Sequence, residues 1–285
     1  QLTFHRCDGS TWQKTTLAKG SSYSLPGVRD AEGYTFMGWS TKPMQSVSPQ
    51  YEAEEKITVN GNVDLYAVVF NRTTETDLTE DQLPQVDIYK YKQVIFVGDS
   101  RTEFMENVLT GMGESATKNV KFVCSAGKGL DWFTTTGWAQ LYSIVQHDSN
   151  SILSKKTAVI FNFGVNDLSK SADYAEYYNW IAPQLKSKGC ELYFMSVNPV
   201  NRLMLPNAGR ADRSEAAVRS FNQYMKVNLS SAYTYIDMYS YLKSTGYSFA
   251  SDHYGTGTVD DGLHYTTRTY KRIFAKCMDS LRVPA

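Results

Sequence analysis

The rhythm of apolar and polar positions changes near residue 72. Before it, apolar residues come in short alternating stretches such as Leu2-Thr3-Phe4-His5 and Val63-Asp64-Leu65-Tyr66-Ala67-Val68-Val69. Turn signals separate them, among them Asp8-Gly9 and Asn60-Gly61-Asn62. That pattern predicts a small, mainly β unit over residues 1–72. Residues 73–91 are polar and acidic, hold one proline and keep no sustained period, so they read as a linker. From residue 92 to 285, apolar runs alternate with amphipathic stretches. Strands are predicted at Gln93–Val97, Val120–Cys124, Ala158–Phe163, Leu192–Val197 and Tyr233–Ile236. The clearest helices are predicted near Thr102–Leu109, Ala172–Lys188, Arg213–Asn228 and Thr267–Leu281. Continuous apolar strands alternating with helices imply a parallel sheet covered on both faces. The two halves should fold as separate units.

Composition narrows the function classes. Lys+Arg and Asp+Glu are both 29 among the 285 residues, so no basic excess draws the chain to nucleic acid or anionic membrane. No apolar run approaches the roughly 20 residues that cross a bilayer. The opening residues QLTFHRCDGS lack the basic start and apolar core of a secretory leader and read as a mature chain entering a strand. The four cysteines, Cys7, Cys124, Cys190 and Cys277, form no CxxC pair and no Cys/His cluster, which argues against zinc. They read as thiols, with a Cys190–Cys277 bridge left open. The 20 tyrosines and 5 tryptophans read chiefly as packing residues.

In a parallel α/β sheet, ligands gather at the carboxyl ends of the strands, and the candidate chemistry falls there. The first predicted strand runs into Asp99-Ser100 and then a helix. A serine at a helix start is either an N-cap or a hydroxyl held in the positive field of the helix N-terminus. The second strand ends in Cys124-Ser125-Ala126-Gly127-Lys128-Gly129, where a glycine lets a backbone N–H approach a reacting carbonyl. The third ends in Phe163-Gly164-Val165-Asn166-Asp167, whose Asn166 amide is a further donor. Near the C-terminus, Asp260-Asp261-Gly262-Leu263-His264-Tyr265 precedes the last helix. Acyl transfer by serine requires a base and a carboxylate that orients it, and Asp261 and His264 supply both from one loop. His5, His147 and His253 have no comparable partner nearby in sequence.

Serine, glycine, asparagine and Asp-x-x-His in this order resemble the SGNH, or GDSL-type, hydrolases across about residues 92–285. Gly98-Asp99-Ser100, Gly164-Val165-Asn166-Asp167 and Asp261-Gly262-Leu263-His264 match three of that family's blocks. The glycine block departs from the family's Asn-x-Gly-x-x-Gly. Gly127 is taken as the donor, with Gly129 as the alternative. The resemblance implies a three-layer α/β/α, flavodoxin-like fold, catalytic Ser100, Asp261 and His264, and no metal or other cofactor. It also implies an oxyanion hole from the Ser100 N–H, a glycine N–H and the Asn166 amide. Gly33-Tyr34-Thr35-Phe36-Met37-Gly38-Trp39 and Asn62-Val63-Asp64-Leu65-Tyr66 resemble the internalin-type B repeat, a β-grasp-like module of bacterial surface proteins. That likeness implies a secreted or cell-surface setting. Phe36, Trp39 and Tyr66 are expected in the module's core. Together these readings point to an extracellular esterase that removes short acyl groups, acetyl above all, from a glycan or other small ester. Arg101, Trp132, Asn198 and Tyr265 are candidate substrate contacts, with Arg202 as a further cation. The loop Val200–Arg213 is expected to cover the site, and the N-terminal module to contact surface glycan or protein. An O-acetyltransferase on the same residues, or a surface adhesion or scaffold protein with an inert hydrolase-like domain, are the competing readings.

Overall fold

The structure is a computed structural model that describes residues 1–87, 90–148, 156–250 and 259–281. The N-terminal unit contains six strands: β1 (Leu2–His5), β2 (Thr11–Thr15), β3 (Ser21–Ser24), β4 (Tyr34–Ser40), β5 (Lys56–Val59) and β6 (Val63–Asn71). Four of them form a sheet in the order β2-β1-β6-β4, and β3 pairs with β5. β1 and β6 are parallel, whereas β1–β2 and β4–β6 are antiparallel. Leu2, Phe4, Leu25, Phe36, Trp39 and Leu65 form the core of this unit. Trp39 lies between Phe4 and Phe36, with ring centroids 4.8 Å and 5.4 Å away, and its indole N–H donates to Pro26 O at 2.8 Å. Tyr66 departs from expectation. It stacks on His5 at 4.5 Å, half-buried, because alternation along β6 turns it away from Leu65 and Ala67.

The second unit is a five-stranded parallel sheet. Its strands are β7 (Tyr91–Gly98), β8 (Val120–Cys124), β9 (Lys156–Asn162), β10 (Cys190–Met195) and β11 (Tyr233–Ile236), in the order β11-β10-β9-β7-β8. The helices that cover it are α1 (Ser100–Met112), α2 (Trp138–Asp148), α3 (Ser171–Ser187), α4 (Glu215–Asn228), α5 (Met238–Thr245) and α6 (Thr267–Ser280). Along β7, Val94 and Phe96 join one core with Phe104 of α1 and Phe274 of α6. Ile95 and Val97 face the other core, with Tyr178 of α3 and Phe221 of α4. This is the three-layer flavodoxin-like order, whose switch point lies between β7 and β9. Cys190 and Cys277 sit in these two opposite cores, so no disulfide joins them. Helices α2 and α5 were not among the clear predictions.

The two units are not merely tethered. Met37, Val68 and Phe70 of the N-terminal sheet join the same apolar cluster as Leu242, Tyr247 and Phe274. The polar stretch expected to be a linker is itself docked. Leu83 and Val86 enter that cluster, and buried Glu75 meets Arg272 at 2.9 Å and Ser248 Oγ at 2.6 Å. Buried Lys243 pairs with Glu215 and, across the boundary, with Glu52, both at 2.8 Å, and donates to Met37 O at 2.8 Å. A segment can be polar overall and still dock when a few of its side chains find buried partners.

Candidate active site

At the end of β7 the chain turns from strand to helix at Gly98. A Cβ there would lie 2.0 Å from Thr102 Oγ1 and 2.9 Å from Asn162 O, so no other residue fits the turn. Asp99 caps α1, its carboxylate accepting from Arg101 N at 3.0 Å. Complete burial pushes the Asp99 carboxyl up to about 6, against the Arg101 hydrogen bond and charge. Ser100 is the first residue of the helix, and the turn aims its hydroxyl across the carboxyl edge of the sheet.

From the C-terminal side, the turn before α6 brings His264 to it. His264 Nε2 lies 2.9 Å from Ser100 Oγ, and Nδ1 lies 2.7 Å from Asp261 Oδ2. Asp261 Oδ1 accepts from the backbone N–H groups of Leu263 at 2.9 Å and His264 at 2.8 Å. A carboxylate only accepts, so the imidazole hydrogen resides on Nδ1 and Nε2 is free to accept from the serine. Ser100, His264 and Asp261 are 6%, 2% and 0% exposed. Burial lowers the His264 pKa below its usual 6.5, outweighing the opposite pull of Asp261. Burial acts to raise the Asp261 carboxyl, but the hydrogen bond and charge of His264 prevail and hold it below its ordinary value. Phe104 packs 4.3 Å from the imidazole and closes one side.

After β9, Asn166 donates through Nδ2 to Lys128 O at 2.8 Å. It therefore stands against the loop that carries Gly127 and Gly129. Asp167 accepts from Leu130 N at 2.9 Å and from Tyr174 OH at 2.7 Å, and a Cβ on Gly129 would sit 2.3 Å from its Oδ2. Gly127 is exposed, with nothing within 4 Å of a Cβ placed on it. Gly129 is thus the glycine held next to the Asn166–Asp167 corner.

Two of the four candidate substrate contacts, Arg101 and Tyr265, are occupied otherwise. Arg101 is buried, and its guanidinium donates to Leu263 O at 3.0 Å and to Asn198 O and Pro199 O at 2.8 Å. With every such bond made inside the protein, it holds two loops rather than a substrate anion. Tyr265 is fully buried beneath that guanidinium, and its hydroxyl donates to Pro199 O at 2.5 Å. Asn198 is buried, its side-chain oxygen without a partner among the described residues. Trp132 is half-buried against Phe163 at 6.1 Å. Arg202 is paired with Asp212 at 2.6 Å and Glu54 at 3.4 Å. Of the other histidines, His5 stays in the N-terminal unit, the backbone of His147 lies in α2, and His253 lies outside the described residues.

Two arginines of the loop 200–213 were not singled out from sequence. Arg210 Nε meets Asp261 Oδ2 at 3.2 Å. Arg213 donates to Asn166 Oδ1 at 2.7 Å and Val165 O at 2.7 Å, which fixes the amide with its N–H face turned from the guanidinium. The loop does reach the site, as expected, and its cations act on the neighbouring polar side chains. The only signal in the sequence was its density of arginine.

A parallel sheet in this order, with a serine, an imidazole and a carboxylate joined at its carboxyl edge, is the layout of an SGNH-type hydrolase. Residues 94–277 match the family model of GDSL-like lipases/acylhydrolases, and the chain belongs to that family of carboxylic ester hydrolases. Residues 1–68 match the Listeria-Bacteroides repeat domain, so the hydrolase is preceded by that module. Among solved structures, a protein described as an SGNH hydrolase from Slackia heliotrinireducens is similar at 13% identity and a TM-score of 0.48, covering 68% of this chain and 100% of its own. The acetyl xylan esterase AlAXEase is similar at 11% identity and a TM-score of 0.44, covering 67% of this chain and 100% of its own. Esterase EstA from Pseudoalteromonas sp. is similar at 11% identity and a TM-score of 0.40, covering 67% and 96%. No curated protein matches the chain. Among the described residues, no helix is long and apolar enough to cross a membrane.

Proposed function

We propose that the chain is a bacterial cell-surface serine esterase that hydrolyses short acyl esters, chiefly acetyl, on glycans. The observation that carries this reading is the continuous Ser100–His264–Asp261 hydrogen-bond chain, 2.9 Å and 2.7 Å, at the switch point of the sheet. His264 Nε2 takes the hydroxyl proton as Ser100 Oγ attacks the ester carbonyl. The oxyanion is held by the Ser100 N–H at the head of α1, the Asn166 amide and an N–H of the Gly127–Gly129 loop. His264 then protonates the departing alcohol, and the acyl group stays on Ser100. Water, deprotonated by His264, attacks that ester and releases the acid. Asp261 keeps the imidazole in the required tautomer throughout.

A cleft of about 380 Å³ beside Asn166 supports a sugar-bearing substrate. Its lining includes Asn166, Ser169, Arg202, Asp212, Arg213 and Ser214, side chains suited to hydroxyl groups. An apolar cavity of about 190 Å³, bordered by Trp12, Tyr34 and Trp39, lies in the N-terminal module, so it offers Ser100 no acyl channel. Its exposed Trp12 and Tyr34 suit that module to contact with surface glycan.

The test combines labelling with a substrate panel. A fluorophosphonate should modify Ser100 alone, as mapped by mass spectrometry. Aryl acetate should be turned over faster than aryl octanoate, with free acetate released from acetylated oligosaccharides. An adduct on another serine refutes the nucleophile, and rising kcat/KM with chain length refutes the short-acyl preference. Acetate appearing only on an added acceptor sugar would make the chain a transferase.

A further inference from the structure

Asp261 and His264 belong to no strand or helix. They sit on a tight turn, and the turn must be held from outside if the imidazole is to stay 2.9 Å from Ser100. Gly262 takes φ +65° there, and a Cβ on it would lie 2.3 Å from Asn201 O, so the turn is pressed against the loop at 201. Asn201 N donates to Gly262 O at 2.8 Å, and Asp260 Oδ1 accepts from Gly262 N at 2.9 Å.

Both Asp260 and Asn201 are gripped by the N-terminal module. Arg72, at the end of β6, pairs with Asp260 Oδ2 and with Asp30 Oδ2, the latter at 2.9 Å. Its Nε donates to Thr35 Oγ1 at 2.9 Å, which sets the plane of the guanidinium. Asp30 Oδ1 accepts from Asn201 Nδ2 at 2.8 Å and from Phe36 N at 2.7 Å. Side-chain exposures of Arg72, Asp30 and Asp260 are 18%, 1% and 10%, so the cluster is largely out of water. Desolvation makes such a cluster a weak source of net stability, while its fixed geometry is strongly directional. The apolar contacts of Met37, Val68 and Phe70 already join the two units without it.

We propose that Asp30 and Arg72 are positioning residues of the active site: the N-terminal module clamps the 260–264 turn and thereby sets the alignment of Asp261 and His264 on Ser100. The surface module is then a working part of the esterase rather than an attached anchor. This inference rests on the assignment of Ser100, His264 and Asp261 as the reacting set.

The experiment uses the full chain with phenyl acetate as substrate and fluorophosphonate titration, so that kcat is counted per competent site. Arg72→Met should lower that kcat by about 10- to 100-fold with KM within about twofold, because a small misalignment acts on the chemical step. Arg72→Lys, which keeps the charge but loses the fork, should recover part of the loss, and Asp260→Asn should cost several-fold. Phe70→Leu, which weakens the interface away from the turn, should lower the melting temperature and leave kcat per site unchanged. Unchanged kcat per site in Arg72→Met, or in Asp260→Asn and Arg72→Lys where Arg72→Met does not fold, overturns the clamp. So does an equal loss in Phe70→Leu. Turnover surviving in Ser100→Ala overturns the reacting set itself, which separates that failure from failure of the clamp.

Discussion

Replacing Asp261 by asparagine changes one atom and sets two demands against each other. The carboxylate accepts four hydrogen bonds, from Leu263 N, His264 N, His264 Nδ1 and Arg210 Nε. An amide has one oxygen. Turned toward His264 and Arg210, that oxygen leaves the NH2 facing two buried backbone N–H groups, at about 1–3 kcal/mol for each donor left unsatisfied. Turned toward the backbone, it keeps those two bonds and places the NH2 against His264 Nδ1. The second arrangement is favoured, since the buried backbone N–H groups cannot move, whereas the imidazole can shift its hydrogen to Nε2 and the partly exposed Arg210 can turn to solvent. Nε2 then presents a donor to Ser100 and no longer accepts its proton. Loss of the correct tautomer should reduce kcat by about 10²–10⁴-fold, equivalent to about 3–5.5 kcal/mol of transition-state stabilisation. The assay is hydrolysis of an aryl acetate at fixed pH, with circular dichroism as the check on folding. Asp261→Asn retaining more than about a tenth of wild-type kcat would refute the tautomer argument. So would an Asp260→Asn protein more impaired than Asp261→Asn, since Asp260 faces Arg72 and Gly262 N rather than the imidazole.

Three further outcomes are expected. Because burial lowers the His264 pKa, kcat/KM should rise with pH through an apparent value below 6.5. The protonated imidazole is inactive, so activity is lost on the acid side; a limb centred above 7 in a pH–rate profile would contradict this. Arg101→Met should leave Leu263 O and Asn198 O short of a donor, while Pro199 O keeps the Tyr265 hydroxyl. A cost of at least about 2 kcal/mol is expected, read as a lower denaturant midpoint in chemical unfolding, and a midpoint equal to wild type would refute it. A fragment beginning at Val86 should fail to fold stably. It strips Glu75 from buried Arg272 and uncovers the apolar surface beneath Met37, Val68 and Phe70. A soluble, cooperatively unfolding fragment with full aryl acetate turnover would show instead that the two units are independent.

The alternation of strand and helix after residue 92 was legible because period and propensity are local. Val94 to Val97 alternate between two cores whatever the distant chain does, and all five predicted strands appear in one parallel sheet. The candidate reacting residues were legible for a related reason. A parallel sheet delivers every strand end to the same edge, so Ser100 and Asn166 had to be sought there. The Asp261–His264 turn, which follows no strand, was legible from its Asp-x-x-His spacing. Helix α2 was harder to read because it emerges from an irregular turn at Phe133–Gly137, and α5 because it is only eight residues long. The directions of long polar side chains were not legible. Arg101 and Tyr265 looked like substrate contacts and are structural, whereas Arg210 and Arg213, which the sequence did not single out, border the site. Arg72 and Asp260 are 188 positions apart in sequence. Nothing local to either marks the pairing, because a buried ion pair is created by the closure of the tertiary fold that removes both partners from water.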